Sequence, residues 1–465
     1  MQYIENKTFS ELKIGDNAEL TRTLKPQDIE LFAVMSGDVN PAHVDAEYAQ
    51  SDMFHKVIAH GMWGGALISA VLGTELPGPG TIYLNQNLSF RNAVGLGDTV
   101  TVRVTVAALE PAHRHVTFDC ICLNQNGETV IEGQALVIAP LEKVRRPRTV
   151  LPEVHLHSRG ERFEKLMQTT APLPAVPTAV VHPCDALSLE GALEAGARGM
   201  IIPVLVGPRT KIETVAAGLG RDLSGVEIVD TPHSHASAEQ AVALARTGKV
   251  QMLMKGKLHT DELLGPVVDK TTGLRTERRM SHVFALDVPS YPKMLMISDA
   301  AINIFPDLET KRDIVQNAIN LARALGISRP KAALLSAVET VTSKIPSTLD
   351  AAALCKMADR GQITGGLLDG PFGFDNAVSK EAATTKGILS EVAGDPDILI
   401  VPDLESGNMI AKQLIYMAGA DAAGIVLGAR VPIILTSRAD GVLSRLASAA
   451  MAQLYVHHNT KAAAP

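Results

Sequence analysis

HGMWGGALISAVLG, residues 60–73, decides how the first third of the chain folds. Its apolar residues recur at helical spacing, and the small residues among them let a neighbouring surface come close. Four strand-like runs follow: TIYLNQNLSF (81–90), DTVTVRVTVAALE (98–110), HRHVTFDCICLNQNG (113–127) and ETVIEGQALVIAP (128–140). They alternate apolar and polar residues between Asn/Gly turns, the pattern of an antiparallel sheet. One apolar helix ahead of such a sheet predicts an α+β unit over 1–142, with the sheet wrapped around a central helix.

The pattern then changes. LEKVRRPRTVLPEVHLHSRG (141–160) is rich in charge and proline and reads as a linker, placed at 143–159. From 178 onward strand and helix patterns alternate with short Gly/Pro loops: TAVVHP, LSLEGALEAGA, MIIPVLVG, TKIETVAAGLG, VEIVD, SAEQAVALARTG, VQMLMKG. KMLMISD, KRDIVQNAINLARALG, KAALLS, DILIVPD and PIILTS continue the series. This predicts a doubly wound, mainly parallel α/β sheet over 160–465.

Composition narrows the function. A chain of 465 residues exceeds one ordinary core. The net charge of −7 falls wholly in 1–145, with 10 Lys+Arg against 17 Asp+Glu; the remainder holds 33 of each. Neither half has the basic excess of a nucleic-acid binder. Aromatics at 4%, with the single Trp63, argue against stacking platforms for single strands. Cys120, Cys122, Cys184 and Cys355 show no CxxC, and no His/Cys set has zinc spacing. They read as reduced, mostly buried thiols of a cytoplasmic protein. MQYIENKTFSELK does not read as a signal peptide, and no run of about 18 apolar residues suggests a membrane span.

MSGDVNPAHVDAEYA (35–49) places Asp38 and His43 five positions apart across Pro41. A turn there lets both side chains converge on one water, to remove and deliver protons. The Gly61 N–H, at the start of the apolar helix, can hold a developing oxyanion on a thioester carbonyl. Gly-Asp and Asn-Pro are also ordinary turn dipeptides. The order SGDVNPAHVDAEYA, AHGMWGGALIS, GPGTIYLNQNLSFRNAVGLGDTV is more specific. It resembles the MaoC-like (R)-specific enoyl-CoA hydratases across about 140 residues. That resemblance implies a hot-dog fold and hydration of 2-enoyl-CoA to (R)-3-hydroxyacyl-CoA. It implies Asp38 and His43 as the catalytic pair, Gly61 as oxyanion donor and Ser69 as a supporting helix serine. Asn40 would fix the aspartate turn. Trp63 is either core or a wall that shortens the acyl pocket.

Residues 250–303 hold a second constellation. Lys255 and Lys257 follow a strand with a glycine between them, and His259 and Thr260 begin a helix. This is a strand-to-helix anion site, to which Arg275 could add a bidentate contact. Ser437-Arg438 follows a strand at its carboxyl end, where α/β sheets place ligands. KGxxHT, SDAAxN, GPFGFDNA, VAGDPDILIVPDLESGN and LTSRAD together resemble the phosphate acetyl/butyryltransferases over about 160–460. The resemblance implies a fold like that of isocitrate and isopropylmalate dehydrogenases, with subdomain I at about 160–280 and 430–465 and subdomain II at about 281–429. It implies acyl transfer between CoA and phosphate, with Ser437 toward the thiolate or carbonyl and Arg438 on phosphate. The acetyl branch's aspartate, seven residues after that serine, is Ser444 here, and Asp440 is the nearby substitute.

Both halves would act on acyl-CoA thioesters, with phosphate as co-substrate and without cofactor or metal, in a homo-oligomer of two or more copies. The alternative is a hydratase whose C-terminal half binds acyl-CoA as a regulatory module.

Overall fold

The computed structural model describes residues 2–150, 154, 160–436 and 440–463. The chain divides into two compact units, Met1–Leu156 and His157–Pro465.

The first unit is a five-stranded antiparallel sheet in the order Asn17–Thr23, Thr99–Glu110, His115–Leu123, Thr129–Ile138, Ile82–Phe90. Val100, Val102, Val104 and Val106 of the second strand and Val116, Phe118, Cys120 and Cys122 of the third point inward, because successive side chains of a strand alternate between faces. They bury the helix Gly61–Thr74 through Trp63, Leu67, Ile68, Val71 and Leu72. A Cβ on Gly64 would stand 2.3 Å from Ile131 Cδ1, so any larger residue would force the Ile131 side chain to move. Cys120 and Cys122 are core residues, and burial pushes their thiols up to about 11 and about 12.

The expected linker is partly folded. Arg145–Pro147 forms a strand antiparallel to Tyr3–Glu5. The basic residues that made this stretch read as solvated chain are paired instead. Lys143 meets Glu5 at 3.4 Å and Glu11 at 3.0 Å, Arg148 meets Glu75, and the Arg145 guanidinium lies 4.6 Å from the centroid of the Tyr3 ring. The remainder of 143–159 falls largely outside the described residues.

The second unit is built on one eleven-stranded sheet. Its order is Glu227–Asp230, Ile201–Gly207, Val176–Val181, Met252–Lys255, Ile433–Ile434, Asp421–Leu427, Ser281–Asp287, Leu295–Ser298, Ile398–Ile400, Lys331–Leu335, Leu367–Phe372. The first five strands run parallel, and the last four run parallel to one another. The strands between them pair antiparallel. Both expected subdomains therefore share one continuous sheet, and Ile433–Ile434 joins them. The C-terminal helix Val442–Ala463 returns to pack on the helix Ala186–Ala197 and on Asp421–Leu427. No helix among the described residues is long and apolar enough to cross a membrane.

Candidate active sites

In the first unit the turn after helix Pro26–Ser36 is held by its own side chains. Asp38 N–H donates to Ser36 Oγ at 3.2 Å, and Asp38 Oδ1 accepts the Asn40 N–H at 3.2 Å. Asn40 Oδ1 caps the short helix Pro41–Val44 by accepting the Ala42 N–H at 3.2 Å. That helix presents His43, whose Nδ1 donates to the Ile58 carbonyl at 2.9 Å. The carbonyl fixes the tautomer, so Nε2 keeps its lone pair. His60 was absent from the expected site. Its Nε2 donates to the Asp38 carbonyl at 3.0 Å, and its ring lies 4.0 Å from that of His43 and 4.8 Å from that of Phe32. Donor atoms of Asp38, His43 and His60 all fall within 4.8 Å of one another.

Beside them opens a cavity of about 250 Å³, lined by His43, His60, Gly61, Trp63, Phe90 and Ile131 among others. Gly61 is the first helical residue, so its N–H has no intrahelical acceptor and carries the positive helix end. Trp63 is both core and wall: it is 6% exposed and lines the cavity. Ser69 stands elsewhere. It is exposed and lies eight residues beyond Gly61, about 12 Å along the helix. It is not among the residues that line the cavity with His43 and Gly61.

In the second unit, Val176–Val181 and Met252–Lys255 end side by side. Gly256 N–H donates to Val181 O at 2.9 Å, and Lys257 N–H to His182 O at 2.8 Å. A Cβ on Gly256 would stand 2.4 Å from Val181 O, so the glycine between the two lysines lets the backbones touch. Lys255 is buried, whereas Lys257 and His259 are exposed. His259 is the N-cap residue of helix Thr260–Val268, and Thr260 opens it. His182, which sequence reasoning passed over, faces them at φ 55, with Nδ1 3.2 Å from Ser237 Oγ. Burial, then the charges of Lys211 and Lys257, hold its imidazole below the usual range.

Arg275 does not join this group. It shares a cavity of about 580 Å³ with Val268, Arg278, Arg279, Ile302 and Asn303. Val268, which lines the same cavity, ends the nine-residue helix that Thr260 begins, and neither Lys257 nor His259 lines that cavity. The site thus has two cationic regions, one around Lys211 and Lys257 and one around three arginines. Ser437 and Arg438 lie outside the described residues. Thr436, just before them, accepts from Nη1 of the buried Arg445 at 2.9 Å. Asp185 and Asp440 both bear electrostatically on Arg445, which places Asp440 in this neighbourhood.

Two of the quoted motifs serve the fold. Asp299 of SDAAIN accepts N–H bonds from Ala301 (3.0 Å), Ile302 (3.2 Å), Asn303 (3.1 Å) and His282 (3.2 Å), and so ties a turn to the sheet. In VAGDPD, Lys293 Nζ lies 2.9 Å from Asp395 and 2.7 Å from Asp397, and Lys331 Nζ lies 2.6 Å from Asp395.

Comparison with known proteins agrees with this division. Residues 234–453 match the family model described as phosphate acetyl/butaryl transferase, and residues 11–118 match that of the MaoC like domain. A phosphate acetyltransferase of Rhizobium meliloti is 62% identical over 299 residues, 64% of this chain and 94% of that protein. The crystal structure of a branched-chain phosphotransacylase from Enterococcus faecalis V583 is 29% identical and covers 61% of this chain and 99% of its own, with a TM-score of 0.53. The unliganded R-hydratase PhaJ1 from Pseudomonas aeruginosa is 42% identical over 34% of this chain and 100% of its own, with a TM-score of 0.33. The chain belongs to the phosphate acetyl/butyryltransferase family and carries a MaoC-like domain ahead of the transferase region.

Proposed function

We propose that the chain is a bifunctional acyl-CoA enzyme. Its first unit adds water to short 2-enoyl-CoA to give the (R)-3-hydroxyacyl thioester. Its second moves an acyl group between CoA and phosphate. The observation that carries the hydratase is the approach of Asp38 to His43 and His60, which line an apolar cavity together with Gly61, the first residue of a helix. One water, held between the Asp38 carboxylate and His43 Nε2, attacks C3 of the enoyl chain. The Gly61 N–H receives the charge that develops on the thioester oxygen, and a proton returns to C2. Trp63 closes the end of the acyl cavity and favours a four-carbon chain. Trp63→Ala is expected to raise kcat/KM for eight-carbon relative to four-carbon enoyl-CoA by about 10-fold or more. An unchanged chain-length profile would place Trp63 in the core alone.

In the transferase unit phosphate oxygen attacks the acyl carbonyl and CoA thiolate leaves. Ser437 and Arg438 are assigned to thioester and phosphate; the lysines at 255 and 257, with His259, Thr260, Arg275 and Asp440, are assigned to binding. Two anion regions suit a substrate pair in which both CoA and phosphate are anionic. The test is phosphate-dependent release of CoA thiol from acetyl-, butyryl- and 3-hydroxybutyryl-CoA. Ser437→Ala is expected to lower it by about 100-fold or more. Acyl-CoA binding without any release would make the unit a binding module, a reading that membership of a transferase family disfavours.

The same reading includes a dehydrogenase-like two-part arrangement of the large sheet, self-association and a cytoplasmic site. Self-association draws on the edge strand Ile82–Phe90, which pairs on one side only and exposes Ile82, Tyr83, Leu84 and Phe90 near the exposed Met62.

A further inference from the structure

The strands Thr99–Glu110 and His115–Leu123 are joined by a tight hairpin whose last turn residue, Arg114, has φ 59. That left-handed residue reverses the chain so that the imidazoles of His113 and His115 stack, with centroids 5.3 Å apart and planes at 29°. Glu110 faces both. Its Oε1 lies 2.9 Å from His113 Nδ1, and its Oε2 lies 3.3 Å from His115 Nδ1. One donor atom from each of the three side chains falls within 4.8 Å of the other two.

We propose that this hairpin binds a divalent transition-metal ion of the zinc class, with Glu110, His113 and His115 as ligands and water in the fourth position. Tetrahedral coordination with bonds of about 2.0–2.1 Å has ligand-to-ligand edges of about 3.3 Å. The His113 Nδ1 to Glu110 Oε1 separation, 2.9 Å, is near that edge, His115 Nδ1 stands 3.3 Å from the other carboxylate oxygen, and a side-chain rotation within the 4.8 Å cluster would bring both nitrogens onto one ion. Two imidazoles and one carboxylate suit zinc, nickel or copper better than magnesium or calcium, which take oxygen ligands. Binding would displace any proton on the ligating nitrogens. The spacing Glu-x-x-His-x-His is not a zinc spacing searchable along the chain; the hairpin reversal creates the cluster. Val100, near the opposite end of the same strand, lines the hydratase cavity, so ten strand residues, about 33 Å of extended strand, lie between Glu110 and that cavity wall. The ion would act as a staple across the tips of two core strands.

The test uses the full chain, stripped with chelator and titrated calorimetrically with Zn²⁺. Asp38, His43 and His60 form a second donor cluster, so the comparison is between wild type and a hairpin variant that leaves that cluster intact. His113→Gln/His115→Gln is expected to lose one binding event, or to weaken it by about 100-fold or more. Removing even a supporting residue of a metal site costs about 10–100-fold. Enoyl-CoA hydration by the variant should match wild type, and the rise in Tm that Zn²⁺ gives the wild type should disappear. Glu110→Gln, a change at an exposed position, provides the same readout if the double variant misfolds. Equal stoichiometry and affinity in wild type and variants, or no Zn²⁺ binding by wild type at about 100 µM, would overturn the proposal.

Discussion

His43→Ala is expected to lower enoyl-CoA hydration by about 10²–10⁴-fold while leaving phosphate-dependent CoA release unchanged. The imidazole is held by a single backbone bond, Nδ1 to the Ile58 carbonyl, so its removal takes away the base without disturbing a buried network. His43 is only half-buried, and the loss should appear in kcat with little change in Tm. Asp38→Asn keeps the turn, because the amide oxygen still accepts the Asn40 N–H, and it should be similarly slow. Steady-state hydration of four-carbon enoyl-CoA, with transferase activity as the internal control, reads both variants. Retention of more than about a tenth of wild-type hydration would remove His43 from proton transfer.

Arg162→Ala should destabilise the transferase unit by about 3–5 kcal/mol. Asp287 is fully buried at the end of a central strand, and Arg162 Nη1 donates to its Oδ1 at 2.6 Å. The same guanidinium donates to the carbonyls of Val288 at 3.1 Å and Tyr291 at 2.6 Å. Truncation therefore takes the charged donor from a buried carboxylate, which keeps the backbone N–H of residue 162 at 3.3 Å, and takes one donor from each of two carbonyls. Thermal unfolding followed by loss of transferase activity measures the effect. Asp287→Asn in the same background should recover part of the stability by removing the buried charge. A Tm unchanged in Arg162→Ala would mean that water replaces the guanidinium without cost.

The first unit was legible because its signals are periodic. Valines at 100, 102, 104 and 106 announce a one-sided strand, and the small residues of 60–73 announce a helix that something must cover. The segment after residue 142 misled because charge reads as solvation. Its lysine and arginines pair with Glu5, Glu11 and Glu75, acids far away in sequence. The middle of the large sheet was harder still. Ser281–Asp287 carries serine, histidine and aspartate into full burial, which no local pattern would favour. Ser281 and Asp287 are tolerated because Asn317 donates to Ser281 Oγ at 2.9 Å and Arg162 meets Asp287, and the His282 imidazole is tolerated because burial pushes its pKa down to about 4 and keeps it neutral. Asp421–Leu427, buried along its whole length, likewise lacks the alternation that marks a strand.

The sites divide in the same way. The sequence by itself determined the alternating strands, the apolar helix and the turn carrying Asp38 and His43, because these depend on residues within a few positions of one another. It also carried the motifs that mark the transferase region. Only the tertiary structure brought His60 to the Asp38 carbonyl, set His182 beside Lys257, placed Arg275 in a cavity with Arg278 and Arg279, and left Ser69 outside the cavity that His43 and Gly61 line. Those outcomes depend on where elements distant in sequence come to rest, and the burial of whole faces, rather than any local preference, sets that position.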